Sequence, residues 1–569
     1  MQKSVEKAGK SKATESELDV SKMVDWVKIY WPIITLILFF SLFYFVYIYF
    51  FTADLGRHIV NGREIVSGGL AGIWGKSAIF DTNYYSFTQT NFPFTNHHWL
   101  FGVIVFWLHE IGGFSFLTVF NAILNTLAFA CILASAMKTI PKAQNEKTKL
   151  VVWVVTTVGF FLLPLLSHRA EIRPESLSLL FFSLYYFLFR SLLIQKKKWL
   201  IFVVLFLQIV WTNSHLFFIL GPLLAGYFLF ERILVLFFDD YKKIISDSLV
   251  SFWLSLLVGL SAVGLFNPNG IQGLLAPLTI FNNYAYRVAE NQSTFFMIDY
   301  GSQVTFFSFV VGSSFFVLLL GIFSLIKKKT ADSNNYGAKI AQFILVAIFA
   351  ALTNKINRLT PFFAVVAIPF VAQNSVNIIG SFLSKHAEKL KSSVAMMFGS
   401  TLLFIFIILI LKTKLFFPHI ETMGTGLPPR IQNAAHFFLQ NNLHGPVFNN
   451  YDIGGYLAYN LFPQEKLFID NRPEAYSADF LANEYLLSLT DESTWQKIVQ
   501  KYNLNVIFFY RHDQIDGAQQ FLFNRITDPE WVPVYVDNYA LLLVKNSEIN
   551  KDIIQKFKLP EDLFVMNQN

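Results

Sequence analysis

The chain has 569 residues; 54% are hydrophobic, 17% aromatic and only 15% charged, and 64 are phenylalanine. That exceeds what a soluble core of this length needs, and apolar runs near the ~20 residues that cross a bilayer recur along it. The net charge of +7 does not imply nucleic acid as a partner, because much of the lysine sits in short clusters between apolar runs, as cytoplasmic loops require. Cys131 is the one cysteine, so no internal disulfide can form.

Residues 1–28 are polar, carry Lys3, Lys7, Lys10, Lys12, Lys22 and Lys28, and lack a small-residue cleavage site. They read as an uncleaved cytoplasmic tail. The first apolar run, Trp31–Phe51, carries Thr52-Ala53-Asp54-Leu55-Gly56-Arg57-His58 to the opposite surface. Residues 52–113 read as a large external loop. Within it, Trp99–Ile111 is apolar but too short to span, and reads as a helix lying on the membrane.

Phe114–Met137 then runs inward and Leu150–Leu166 outward. Alternating spans follow over Ser176–Ile194, Trp199–Thr212, Leu216–Phe238, Leu249–Phe266, Gln303–Ile326, Lys339–Thr353, Pro361–Gly380 and Ser393–Leu411. Lys196-Lys197-Lys198, Lys242-Lys243 and Lys327-Lys328-Lys329 all fall inside on this reading. It gives about eleven spans in a cytoplasmic membrane, with the N-terminus in and the C-terminus out. Asn267–Ser302 forms a second long external loop.

Residues 29–411 thus form a transmembrane domain, and the composition changes at Lys412. Val447–Asn450, Leu467–Asp470, Val506–Tyr510, Trp531–Val536 and Ala540–Val544 read as strands. Asp452–Asn460, Ala478–Leu489, Ser493–Tyr502 and Gly517–Ile526 read as helices. Residues 412–569 are therefore expected to form an extracytoplasmic α/β domain, large enough for a core of its own.

Charged groups at membrane level are costly unless paired or used, and many gather on the external face. Asp54 and His58 share a helix face if the helix continues; Asp54 also suits a helix cap. His97-His98 reads either as metal ligands or as interfacial histidines, and no HExxH or CxxC pattern accompanies it. Arg169, Glu171, Arg173 and Glu175 alternate in sign. They form either a self-neutralising cluster or a phosphate grip with carboxylates that orient an acceptor or a metal. Lys355 and Arg358 make a second candidate phosphate site. Asn213 and His215 lie in a turn too short to leave the membrane surface, and Glu290 lies in the second long loop. Helix ends of one bundle can surround one cavity there. In the C-terminal domain, Asn450-Tyr451-Asp452-Ile453-Gly454-Gly455-Tyr456 and Asp470-Asn471-Arg472-Pro473-Glu474 follow strands, where α/β sites often lie. The paired glycines there read as a tight turn.

The whole resembles the GT-C superfamily of membrane glycosyltransferases, which includes protein O-mannosyltransferases, aminoarabinose transferases and oligosaccharyltransferases. It is similar most of all to a bacterial group marked by Asp54, His58 and Gly62, by Tyr85-Ser86-Phe87-Thr88, and by His97-His98-Trp99-Leu100. Arg173-Pro174-Glu175, Trp211-x-Asn213-x-His215, Asn267-Pro268-x-Gly270, Gly454-Gly455-Tyr456-Leu457 and Asp470-x-Arg472 also look similar. The resemblance implies sugar transfer from a polyprenyl-phosphate donor, in contact with membrane lipid, to an extracytoplasmic glycan or protein acceptor. Asp54 would act as general base or metal ligand, with His58, Glu171 and Glu175 in the catalytic set. Arg169, Arg173, Lys355 and Arg358 would bind the donor phosphate, and His97, His98, Asn213, His215 and Glu290 the substrate. Many relatives carry Asp-Glu or Asp-x-Asp where this chain has Asp54-Leu55-Gly56, so a divalent metal is an option and no cofactor is assigned. Two rivals remain. A transporter or flippase of lipid-linked saccharide would show mid-bilayer polar groups and repeated halves. A non-catalytic scaffold with a cell-wall-binding domain would need no chemistry at Asp54.

Overall fold

A computed structural model of the chain describes residues 24–74, 78–140, 148–279, 286–326, 336–386, 415 and 419–564. The tail lysines up to Lys22, Lys327-Lys328-Lys329 and the expected last span Ser393–Leu411 lie outside the described residues.

In chain order the longer helices of the first domain are α1 (Val24–Tyr44), α2 (Leu55–Trp74), α3 (Trp99–Thr139), α4 (Thr148–Phe161), α5 (Glu175–Arg190), α6 (Trp199–Thr212), α7 (Leu216–Asp239), α8 (Ser248–Val263), α9 (Val304–Ile326), α10 (Tyr336–Lys355) and α11 (Asn357–Ile379). By length and composition, α1, α3, α7, α9, α10 and α11 suffice to cross a membrane, and α4, α6 and α8 are shorter apolar helices. Their outer faces keep large apolar side chains exposed, such as Phe202 and Phe206 on α6 and Phe315 and Phe316 on α9. Lipid, not water, suits such a surface. The protein is a polytopic helical membrane protein with a C-terminal sheet domain.

Two boundaries carry the site. The apolar run Trp31–Phe51 is not one helix. α1 ends at Tyr44, and residues 45–49 run extended, with Val46 paired antiparallel to Met423. Tyr47 N–H donates to Thr422 O at 2.8 Å and Ile48 N–H to Gly426 O at 2.8 Å. The second half of the run is apolar because it lies beneath the C-terminal domain: the Phe51 ring stacks on Tyr456 at 4.2 Å and on Tyr539 at 5.2 Å. The other boundary is Gly113, which breaks α3 at φ 63°, ψ −162°. The break falls where the sequence separates Trp99–Ile111 from Phe114–Met137.

The C-terminal sheet has strands β1 (Val447–Asn449), β2 (Val506–Tyr510), β3 (Trp531–Val536) and β4 (Ala540–Lys545) in the order β1-β2-β4-β3. β1 and β2 are parallel and the other pairs antiparallel. The expected strand at Leu467–Asp470 reduces to single bridges from Leu467 to Val447 and to Ser86 of the first loop. Every residue of β2 is buried, as a sheet covered on both faces requires. Ile507 and Phe509 pack with Trp495 and Phe521 on one face. Val506 and Phe508 pack on the other, in a core continuous with the membrane helices. That second face joins the two domains. Tyr85 O and Leu467 N–H, and Leu467 O and Phe87 N–H, are each 3.0 Å apart. Arg472 is buried between Asp470 and Asn83 Oδ1, the latter at 2.9 Å, with its guanidinium over the Tyr85 and Phe94 rings.

Gly113 offers a test of the helix break. A Cβ there would meet nothing within 4 Å, so any cost is conformational. Gly113→Ala is expected to destabilise the protein by about 1–3 kcal/mol, read as a lower melting temperature in detergent. An unchanged melting temperature would mean that α3 runs through this point as regular helix.

Candidate active site

Asp54 sits one residue before α2, after the turn that follows the extended segment, and its carbonyl accepts from His58 N–H at 3.1 Å. Arg57 Nη2 stands 3.5 Å from Asp54 Oδ1. Arg57 is 5% exposed and its Nε has no hydrogen-bond partner. Both side chains face a cavity of about 940 Å³ between the helix ends and the C-terminal domain. Burial pushes the Asp54 carboxyl above the ordinary carboxylate range, while Arg57 and Arg173 pull it down.

Four imidazoles lie behind Asp54. His98 is 3.8 Å from His97, 5.5 Å from His58 and 5.4 Å from His215, ring centre to ring centre. Burial holds all four below the usual histidine range, His97 at about 3 and His215 at about 4, so they are neutral at physiological pH. His215 Nδ1 is 2.8 Å from Ser178 Oγ, which also accepts from Trp211 Nε1 at 2.7 Å. Its other ring nitrogen faces Glu175 at 3.8 Å.

Beside the imidazoles is an ion-pair network. Glu290 receives Arg169 Nη2 at 2.6 Å, Arg358 Nη2 at 3.0 Å and also Arg173 Nη1. Arg173 Nε meets Glu171 at 2.6 Å, and Arg358 Nε meets Glu175 at 2.8 Å. Burial alone would raise Glu290, but the three guanidinium groups hold it well below the carboxylate range.

The opposite wall belongs to the C-terminal domain. Tyr451 follows β1 and stacks on Tyr286 of the second loop at 3.9 Å. Asp452, Glu474 and Asp513 line this side. Asp513 accepts from Asn450 Nδ2 at 2.7 Å. Burial and the Asp513 charge push Asp452 well above the carboxylate range.

Of the residues singled out in the sequence, Asp54, His97, His98, Arg173, His215, Glu290 and Arg358 line this one cavity. His58, Arg169, Glu171 and Glu175 stand around it as partners of the lining groups. Asn213 is buried away from it, accepting from Trp99 Nε1 at 2.8 Å and donating to Phe266 O at 2.8 Å. Lys355 is exposed and does not line the cavity. Arg57 and the carboxylates of the C-terminal wall complete the site. Arg57 is legible only as Asp54's neighbour in sequence. Asp452 and Glu474 lie in the two stretches that follow strands, but no local pattern says that they face Asp54. Among the described residues no three or more His, Cys, Asp or Glu side chains are grouped to hold a metal ion.

No family model and no curated protein matches the chain. The structure is similar to that of the Archaeoglobus fulgidus oligosaccharyltransferase tethered with an acceptor peptide containing the NVT sequon. The TM-score is 0.56 at 12% identity, over 92% of this chain and 75% of that one. The same enzyme in complex with Zn and sulfate gives a TM-score of 0.49 at 11% identity, over 90% and 73%. The chain shares its fold with that oligosaccharyltransferase. The cavity lies between the helical domain and the C-terminal domain, with basic groups on the first wall and acidic groups on the second.

The raised Asp452 carboxyl gives a signed prediction. A carboxyl that binds its proton more tightly folded than unfolded makes stability fall as pH rises through the interval between the two affinities. Asp452→Asn removes that loss. The variant is expected to melt above the natural chain at about pH 8, with the gap closing toward about pH 4. A gap independent of pH would show that Asp452 is not a strained carboxylate.

Proposed function

We propose that this protein is an integral-membrane glycosyltransferase that moves a sugar from a polyprenyl-phosphate donor to an extracytoplasmic acceptor. The observation that carries the reading is the meeting of Asp54, Arg173 and Arg358, from three separate segments, around one cavity. Glycosyl transfer from a phosphate needs a base by the acceptor and cations by the leaving group. These must come from different directions to surround the reacting carbon.

In this reading the acceptor hydroxyl oxygen attacks the anomeric carbon while Asp54 takes its proton. The bond from the anomeric carbon to the phosphate oxygen breaks, and its electron pair leaves with the lipid phosphate. Arg57, with an unpartnered Nε, and the terminal nitrogens of Arg173 and Arg358 supply donors for that developing charge. The raised affinity of Asp54 for a proton suits a base, and the neutral imidazoles of His97, His98 and His215 suit hydroxyl-rich ligands. No step is assigned to a metal.

Further support comes from the fold. The Archaeoglobus neighbour carries a tethered acceptor peptide, and a peptide or glycan acceptor entering between the two domains would reach Asp54 here; this part rests on likeness of fold. The lysine distribution supports a cytoplasmic-membrane protein with the N-terminus inside and residues 412–569 outside as a C-terminal domain.

Asp54→Asn keeps size and hydrogen-bonding capacity. It is expected to leave the melting temperature within a few degrees and to cut transfer by at least ~100-fold. Mass spectrometry of product formed from a short-chain polyprenyl-phosphate sugar would measure it. Transfer undiminished in a folded variant would place the base elsewhere.

A further inference from the structure

Around Glu290 the ion pairs are not equivalent. Arg173 and Arg358 each bring Nε into ion-pair contact with a carboxylate of their own, Glu171 at 2.6 Å and Glu175 at 2.8 Å, without hydrogen-bond geometry. Their terminal nitrogens reach a common point, where Arg169 Nη2 also arrives. Two of the three guanidinium groups thus have a second carboxylate beside them besides Glu290.

At the common point sits Glu290, which lines the cavity. Its segment is fixed by backbone and not by the carboxylate: Asn357 Nδ2 donates to Ala289 O at 2.8 Å, and Asn357 N–H to Gln292 O at 3.0 Å. The Glu290 side chain can therefore leave the arginines by rotation about its own bonds while the turn stays in place. Three guanidinium groups converging on one oxyanion is the arrangement that binds phosphate oxygens. Left empty, three partly buried cations would repel one another at a large cost. A resident carboxylate keeps them assembled.

We propose that Arg169, Arg173 and Arg358 form a ready-made phosphate site that the chain's own Glu290 occupies, and that a phosphate ester enters by displacing Glu290. The choice of a lipid phosphate as that ester rests on the glycosyltransferase reading above; the self-occupied anion site does not. Glu171 and Glu175 are positioning residues in this scheme, and Glu290 is an internal competitor.

The test is binding of inorganic phosphate and of farnesyl phosphate to the purified full chain by isothermal titration calorimetry. Glu290→Gln is expected to tighten inorganic phosphate at least ~10-fold, since it removes the competing charge and leaves the arginines held. Glu171→Gln makes the same change in net charge but releases Arg173, and is expected to weaken phosphate. Glu290→Asp, shorter by one methylene, keeps the charge and should give an intermediate gain; it serves if the glutamine variant does not fold. No gain from either Glu290 variant, or equal gains from Glu290→Gln and Glu171→Gln, would overturn the proposal. A gain for inorganic phosphate alone would uphold the self-occupied site and overturn the lipid source. A gain for both would uphold both.

Discussion

The site depends on a close approach of two backbones. A Cβ on Gly56 would lie 2.3 Å from the carbonyl oxygen of Gly455, and a Cβ on Gly455 2.5 Å from that of Ala53. The first turn of α2 and the helix Gly454–Leu461 that follows β1 therefore meet with no side chain between them. Asp54 and Arg57 lie on one side of this contact and Tyr451 and Asp452 on the other. The contact fixes how far apart the two walls of the cavity stand. The Phe51–Tyr456 stack and the buried Arg472 reinforce it from either flank.

This geometry explains why the C-terminal domain has two cores with different partners. The Trp495 side of the sheet is packed largely by its own helices. The Phe508 side shares its core with α1 and the membrane helices. The domain is thus a wall of the site, and the first long loop is bound to it through Tyr85, Phe87 and Asn83. Charge follows the same division. The helical wall gathers arginines whose burial demands counter-anions, and Glu171, Glu175 and Glu290 provide them. The sheet wall gathers Asp452, Glu474 and Asp513, of which Asp452 and Glu474 have no salt bridge within 4 Å among the described residues. A ligand spanning the cavity meets donors on one side and acceptors on the other.

Much of this was legible in the sequence because length and apolar continuity are local signals. The helices from α3 to α11 follow their apolar runs, the break at Gly113 follows a change in run length, and all four strands follow short β-branched or aromatic runs. What was not legible is long-range. Trp31–Phe51 is apolar throughout, and nothing within it says that its second half faces protein instead of lipid; the partner, residues 422–426, lies far along the chain. The alternation of Arg169, Glu171, Arg173 and Glu175 was visible, yet Glu290, the group that ties three arginines together, comes from another loop. Lys355 and Arg358 looked alike in sequence, but only Arg358 lines the cavity: Lys355 ends α10, whereas Arg358 lies within the helical turn Asn357–Leu359 that follows.

The central claim is that Asp54 and the arginines face each other across one sugar phosphate. Cryo-electron microscopy of the full chain in lipid nanodiscs, with a non-transferable polyprenyl-phosphate sugar analogue, tests it most directly. The account predicts the phosphate against Arg57, Arg173 or Arg358, and the anomeric carbon open toward Asp54 with room for an acceptor oxygen at about 3.5 Å. A sugar phosphate bound outside this cavity, or bound within it with Asp54 turned away from the anomeric carbon, would contradict it.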